Sequence, residues 1–412
     1  MSVPARSQAL GVIADRRGRG LTNSTSGSAA IAETCRSQDR LPHFFRLAVD
    51  ARIWKTGIGT YTVNLLREIR RVDGEFRVSA IVRAEAEGMM AGMCDETRVV
   101  DAPIYSLQEQ LRIPAAAGEC DLLHVPHYNV PALYRGRMVV TIHDLTHLTD
   151  PAFRNSAKAW LYARPMLKMA AKKASHVITV SGFSKQQIIE YLGVRPEKVS
   201  VIYNGLGSQF CLIDRATAKE KVRSTLNIEP PYLLFVGNLK PHKNLGRLLR
   251  AFALLRERGR TNLTLVLVGD DRKRKQSVMG ECARLGISEV VRHVPWVAED
   301  LLPQLYASAD LVVMPSTSEG FGFPVLEAMA CGTPVVCSNA TSLPEVGGDA
   351  VEYFDPYNVE EMAAAIERVL DSPSLQAEMR EKGLKQAAKF TWEECARKHL
   401  EVYRKVLELQ GV

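Results

Sequence analysis

Two doubly wound α/β lobes facing each other across a cleft are the fold this sequence predicts, and three observations lead there. At 412 residues the chain is longer than one hydrophobic core usually serves, so two domains are the default. From Arg46 onward, short β-branched runs alternate with helical stretches, a rhythm that makes parallel sheets covered by helices on both faces. The rhythm runs twice, with a break near Phe210–Ala218. A hydrophobic content of 46% with 24% charged residues suits a soluble globular protein.

In the first half the apolar runs predict strands at Leu47–Asp50, Val78–Val82, Leu122–Val125, Met138–His143, His176–Val180 and Val199–Ile202. Helices are expected between them at Thr60–Arg71, Ala157–Lys173 and Ser184–Tyr191. The second half predicts strands Tyr232–Val236, Leu263–Val268, Val290–Val294, Leu311–Met314 and Val335–Cys337. Its helices are Leu245–Arg258, Glu299–Ser308, Pro324–Ala330, Val359–Leu370 and Leu375–Ala388. The resulting boundaries are a leader over residues 1–45, a first doubly wound domain over 46–212, a second over 213–391, and a final segment, 392–412, with helical periodicity from Trp392. The leader is rich in Arg, Ser, Thr and Gly without a sustained apolar core, so it reads as disordered and not as a secretory signal.

The formal charge of +7 suits an anionic substrate or membrane surface. No basic block is interleaved with aromatics, so nucleic acid is not an expected partner. The eight cysteines are scattered, with no Cys-x-x-Cys; reduced, intracellular thiols and a cytoplasmic setting follow. No run of 18 apolar residues spans a bilayer.

In open parallel sheets, ligands lie beyond the carboxyl ends of the strands, and this rule sorts the polar residues. The first strand leads into Thr56-Gly57-Ile58-Gly59-Thr60-Tyr61. Two glycines there permit a tight turn, and the helix behind them offers free N–H groups to a phosphate. The third glycine of the dinucleotide fingerprint and the lysine of the P-loop are both missing. Strand Met138–His143 brings His143 to the cleft, where an imidazole can donate to a phosphate or a sugar hydroxyl; a structural histidine bonded to a loop carbonyl is the plain alternative. His147, His124 and His127 do not share a helical face with it, so no metal site is expected.

The second lobe opens with Val236-Gly237-Asn238-Leu239-Lys240-Pro241-His242-Lys243-Asn244. A lysine at a strand's end, Lys243 above all, is placed to neutralise a diphosphate; a solvated turn lysine is the plain alternative. The most telling stretch is Glu319-Gly-Phe-Gly-Phe-Pro-Val-Leu-Glu327. It sets two acids eight positions apart, the first in a glycine turn and the second in the helix that follows, with backbone N–H groups between them. A sugar joined to a nucleotide by a diphosphate needs that combination; a turn before a core helix with its acids in water is the plain alternative.

Taken in order, Gly-Ile-Gly-Thr-Tyr-Thr, Ile-His-Asp, Val-Ser-Gly-Phe-Ser-Lys, Val-Gly-Asn-Leu-Lys-Pro-His-Lys-Asn and Ser-Glu-Gly-Phe-Gly-Phe-Pro-Val-Leu-Glu-Ala-Met-Ala-Cys-Gly-Thr-Pro resemble a group 1 glycosyltransferase. More narrowly, the chain is similar to family 4 of the retaining GT-B enzymes, especially bacterial mannosyltransferases of surface polysaccharide assembly. The resemblance covers about residues 46 to 409. It implies a GT-B fold, with the last helix returning to the first domain, and a nucleotide-sugar donor held mainly by the second. By the same resemblance Glu319 contacts donor sugar hydroxyls and Glu327 holds the ribose. The backbone at Phe321, Gly322 and Phe323 meets diphosphate or sugar, Lys243 pairs with phosphate, Gly57 and Gly59 approach it from the other lobe, and His143 sits near the reacting carbon. Many relatives carry arginine where this chain has Asn238, which leaves more of the neutralisation to Lys243 or Lys240.

Breaking the bond from anomeric carbon to phosphate builds negative charge on the diphosphate, which preorganised cations and helix N-termini stabilise. The sequence has no Asp-x-Asp, so transfer without metal or cofactor is expected; retention follows from the resemblance alone. GDP-mannose is the expected donor and a glycan or lipid-linked saccharide the expected acceptor. Helix Ala157–Lys173 mixes Trp160, Tyr162, Met166 and Met169 with five basic residues. It reads as a peripheral contact with the inner membrane surface or, more plainly, as a core stripe with a solvated basic side; Pro165 is expected to kink or split it. A nucleotide-sugar epimerase or a non-catalytic nucleotide-sugar binder on the same fold are the alternatives.

Overall fold

The computed structural model describes residues 44–149 and 157–408; from Phe44 onward they belong to one compact unit. Apart from Phe44 and Phe45, the leader lies outside the described residues.

A first sheet has seven parallel strands: β1 (Phe45–Asp50), β2 (Phe76–Val82), β3 (Glu96–Val99), β4 (Leu122–Val125), β5 (Met138–Thr141), β6 (His176–Thr179) and β7 (Val199–Val201). Across the sheet they run β3-β2-β1-β4-β5-β6-β7. A second has six: β8 (Tyr232–Val236), β9 (Thr264–Val268), β10 (Val291–Val294), β11 (Leu311–Met314), β12 (Val335–Ser338) and β13 (Glu352–Phe354), in the order β10-β9-β8-β11-β12-β13. Chain direction across each sheet reverses beside its first strand, between β1 and β4 and between β8 and β11. Loops leaving the strand ends at such a point part to opposite faces and leave a crevice.

The central strands read as continuous apolar runs because both of their faces are covered. Leu47 and Val49 of β1 join one core cluster while Ala48, between them, joins another on the opposite face. In β8, Tyr232, Leu233, Leu234 and Phe235 are all fully buried, each apolar side chain contributing roughly 1.5–3 kcal/mol. The edge strands β3 and β13 are polar and short, and the apolar pattern does not reveal them.

Helix Gly57–Val72 begins three residues earlier than its apolar face predicts, so both glycines lie in its first turn. Helix Ala157–Lys173 continues through Pro165 without a break. Helix Trp392–Glu408 lays Trp392, Cys395, Ala396, Leu400 and Tyr403 into the core of the first lobe, beside Tyr61 and Leu65. Among the described residues no helix is long and apolar enough to cross a membrane.

Candidate functional site

A cavity of about 510 Å³ lies between the two lobes where the two crevices meet. From the first lobe it is lined by Thr56, Gly57 and Ile58 after β1, by His127 after β4 and by His143 and Asp144 after β5. From the second lobe come Asn238, Lys240 and Lys243 after β8, with Glu319, Gly320, Phe321, Gly322 and Phe323 after β11.

Two helix N-termini from opposite lobes open into this space. Helix Gly57–Val72 starts after Thr56, and helix Phe323–Ala330 after Gly322. Among the described residues, no side chain caps either first turn, so their N–H groups and the positive ends of their dipoles are offered to an anion. The glycines divide the work. A Cβ on Gly57 would meet nothing within 4 Å, so this glycine leaves the cavity wall open. A Cβ on Gly59 would stand 2.0 Å from the Trp54 carbonyl oxygen; Gly59 is absent from the lining and is required where the chain folds back on itself. Gly322 has φ 117°, a left-handed conformation that starts the second helix at a turn few other residues accept.

Lys243 is 9% exposed and places Nζ 2.5 Å from Glu319 Oε1. The Glu319 loop is held from behind: its N–H donates to Thr341 Oγ1 at 3.1 Å, and Ser342 Oγ donates to the carbonyls of Glu319 and Phe321 at 3.0 and 2.9 Å. The Phe321 ring is buried against Phe323 and Phe390, so its backbone alone is available to a ligand. Gly320 lies against the other lobe, where a Cβ would come within 2.8 Å of the His143 carbonyl oxygen.

His143 Nε2 is 3.1 Å from the Pro126 carbonyl oxygen. A carbonyl can only accept, so Nε2 carries the proton and Nδ1 is the acceptor side of the neutral ring. Burial pushes its pKa below the ordinary value. The ring stands edge-on to Tyr61 with centroids 4.9 Å apart. The ring's one N–H is thus spent on a loop carbonyl, as in the plain alternative read from the sequence, and it donates to neither a phosphate nor a sugar hydroxyl; Nδ1 is left as an acceptor for a hydroxyl. Glu327 is not among the lining residues but is partly exposed, and it accepts from the Tyr306 hydroxyl at 2.8 Å. Burial raises its carboxyl to about 7, close to neutrality, where small changes in surroundings alter its charge. Asn238 faces the cavity but spends its side-chain oxygen on the Lys240 N–H at 3.2 Å.

Several features were given no place in the site from the sequence. Tyr105, His147, Asn204 and His242 also line the cavity. Beside it, Arg52 bridges Asp50 at 2.8 Å and Glu109 at 3.1 Å, all three nearly sealed from solvent. Below His143, a fully buried polar chain ties the last helix to the first lobe. His399 Nδ1 faces the Cys395 carbonyl at 2.7 Å, so it donates there, and His399 Nε2 must accept from the Tyr61 hydroxyl at 2.6 Å. Tyr61 then accepts from Thr141 at 2.9 Å, and Thr141 accepts from His124 Nε2 at 2.9 Å. His124 Nδ1 finally accepts from Tyr403 at 2.8 Å. Every proton in the chain has one position.

Comparison with known proteins agrees with this arrangement. Residues 217–386 match the family model for group 1 glycosyl transferases, and residues 55–209 match that for glycosyltransferase family 4. The O-antigen chain mannosyltransferase B of Escherichia coli is 33% identical over 284 residues, covering 69% of this chain and 74% of that protein. The O-antigen chain mannosyltransferase RfbU of Salmonella typhimurium is 30% identical, covering 66% and 70%. The serotype-specific mannosyltransferase WbdA of Escherichia coli is 28% identical over 69% of this chain, which spans only 35% of its length. Among solved structures, Anabaena HepE in complex with UDP and glucose superposes with a TM-score of 0.73 at 23% identity, covering 88% of this chain and 100% of that one; that likeness speaks to the GT-B fold alone. With two Rossmann-like lobes, an anion-ready cleft and relatives at this identity, the chain belongs to the group 1 glycosyltransferases.

Proposed function

We propose that this glycosyltransferase moves mannose from GDP-mannose to a glycan or lipid-linked saccharide, retaining anomeric configuration and using neither metal nor cofactor. Its mannosyltransferase relatives support mannose, and the missing Asp-x-Asp supports metal-independent transfer. The observation that carries the reading is the Lys243–Glu319 pair between two uncapped helix N-termini of opposite lobes. An ammonium and two positive helix ends suit a diphosphate; a carboxylate beside them suits sugar hydroxyls.

In this reading the donor separates the pair. Lys243 turns to the diphosphate, and Glu319, released, accepts from sugar hydroxyls. Backbone N–H groups at Phe321, Gly322 and Phe323 and the Gly57 turn share the leaving group's charge, which grows as the anomeric bond to phosphate breaks. Gly59 shapes that turn without touching the ligand, and Asn238 contributes a dipole without a charge. Glu327 as carboxylate holds the ribose. His143 Nδ1 accepts from a donor sugar hydroxyl near the reacting carbon. The incoming acceptor hydroxyl attacks on the face the diphosphate leaves, and its proton passes to the departing phosphate oxygen. The exposed side of helix Ala157–Lys173 is the proposed contact with the inner membrane surface.

Incubation with labelled GDP- and UDP-sugars in excess chelator, with and without lipid-linked saccharides, tests the proposal. GDP-mannose turnover that survives chelation supports it. No turnover of any nucleotide sugar refutes it, and turnover of a UDP-sugar alone refutes the donor assignment.

A further inference from the structure

Helix Gly182–Leu192 belongs to the first lobe, yet the side chain that binds its first N–H groups comes from the second. Glu345 accepts from Gly182 N–H at 2.7 Å and Phe183 N–H at 2.8 Å, and from the Tyr203 hydroxyl at 3.1 Å. Ser181 Oγ takes the next N–H, that of Ser184, at 3.1 Å. The first turn is therefore satisfied, and two of its bonds cross between lobes. A carboxylate at a helix N-terminus is favoured by the dipole and by charge-assisted hydrogen bonds.

Each side of this contact leads to one half of the site. On the first lobe, Ser184 in the same helical turn donates through Oγ to the His143 carbonyl at 3.0 Å. On the second, the short helix carrying Glu345 begins after Ser342, which donates to the Glu319 and Phe321 carbonyls. Thr341, which accepts from the Glu319 N–H, has φ 59°; a β-branched residue in that region is strained and is kept there by its surroundings. Thr146 and Ser318 hydroxyls lie 3.2 Å apart across the same seam.

We propose that Glu345 is a positioning residue for transfer: it clasps the two lobes so that the His143 strand end and the Glu319 loop stand at reacting distance. The proposal rests on the catalytic reading above for the roles of His143 and Glu319. Glu345 itself lines no part of the cavity; it acts through backbone N–H groups, and the clasp needs both carboxylate oxygens as acceptors. A Gln at this position supplies one acceptor and turns an NH₂ group toward an N–H.

The test compares wild type, Glu345→Gln and Tyr203→Phe. Small errors in the placement of reacting groups cost on the order of 100-fold in rate. Glu345→Gln is expected to lower kcat by about that factor with less change in donor KM. It is also expected to keep the wild-type Tm within a few degrees and to increase the radius of gyration of the GDP-bound enzyme by small-angle scattering. Tyr203→Phe, which removes one bond of three, should give a smaller fall in kcat. Wild-type kcat and scattering in Glu345→Gln would overturn the clasp. So would a fall in kcat that merely follows a lost Tm while scattering stays unchanged. Scattering of the nucleotide-free proteins needs no turnover, so an unchanged radius overturns the clasp, and an increased one supports it, even where the donor assignment has failed.

Discussion

Lys243 and Glu319 are 76 residues apart in sequence, and their side chains meet at 2.5 Å on the wall of the interlobe cavity. Each is nearly closed off from solvent, so each is the other's counter-ion. Breaking such a pair from one side is costly because the remaining charge is left alone, on the order of 3–5 kcal/mol. Lys243→Ala and Glu319→Ala are each expected to reduce turnover by roughly 100- to 1,000-fold and to lower Tm. The double variant should recover much of that Tm while remaining inactive. Melting curves and initial rates on the three proteins check the ordering.

Glu327 is expected to couple nucleotide binding to pH. Its carboxyl, raised to about 7 by burial, lies above its ordinary value of 4.5, so between those values the folded state holds more protons than the unfolded one. Stability therefore falls as pH rises across that window, by roughly 3 kcal/mol in all. The deprotonated form is the better acceptor for ribose hydroxyls, so GDP affinity should rise as pH passes 7, with proton release. Glu327→Gln should remove the fall in Tm that this carboxyl causes between pH 4.5 and 7, raise Tm at pH 8 and weaken GDP. Calorimetry in buffers of different ionisation enthalpy measures the released proton.

For His143, the lowered pKa keeps the ring neutral above pH 6.5. Its contribution to kcat should be flat there and should decline toward acid as Nδ1 takes a proton. His143→Ala should abolish that acid limb and lower kcat by about 100-fold; pH–rate profiles of both proteins decide.

The buried chain from Cys395 to Tyr403 should govern acid stability. Burial lowers His399 to about 4, against an ordinary value of 6.5. The folded state thus holds fewer protons, and its contribution to stability is complete above 6.5 and lost as pH falls toward 4. Tyr61→Phe leaves His399 Nε2 without its donor and should cost about 1–3 kcal/mol. Chemical denaturation at pH 5 and pH 7.5 checks both expectations.

How much of this the sequence carries depends on what each feature is made of. Strands β8 and β11 are legible to the residue because apolar runs buried on both faces leave an unbroken signature. Strands β3, with Glu96 and Arg98, and β13, with Glu352, lie at sheet edges where one side is wet, and their polarity hides them. Glu319 and Lys243 are legible as residues beside a glycine turn and a strand end. Their union is not, because it depends on how loops after β8 and β11 fold toward one another. Gly57 and Gly59 look alike in the sequence, yet one faces open space and the other the Trp54 backbone. Gly57→Ala should therefore fold normally with weakened GDP binding, whereas Gly59→Ala should fail to accumulate as folded protein. The Tyr61–His399 bond, between residues 338 positions apart, leaves no local pattern at all.

The most direct measurement is a structure of the protein soaked with GDP. A diphosphate is expected in the interlobe cavity, within hydrogen-bond reach of Lys243 Nζ and the Phe323 N–H, with the Lys243–Glu319 contact opened. A nucleotide bound elsewhere, or one in the cavity that leaves that contact closed, would contradict it.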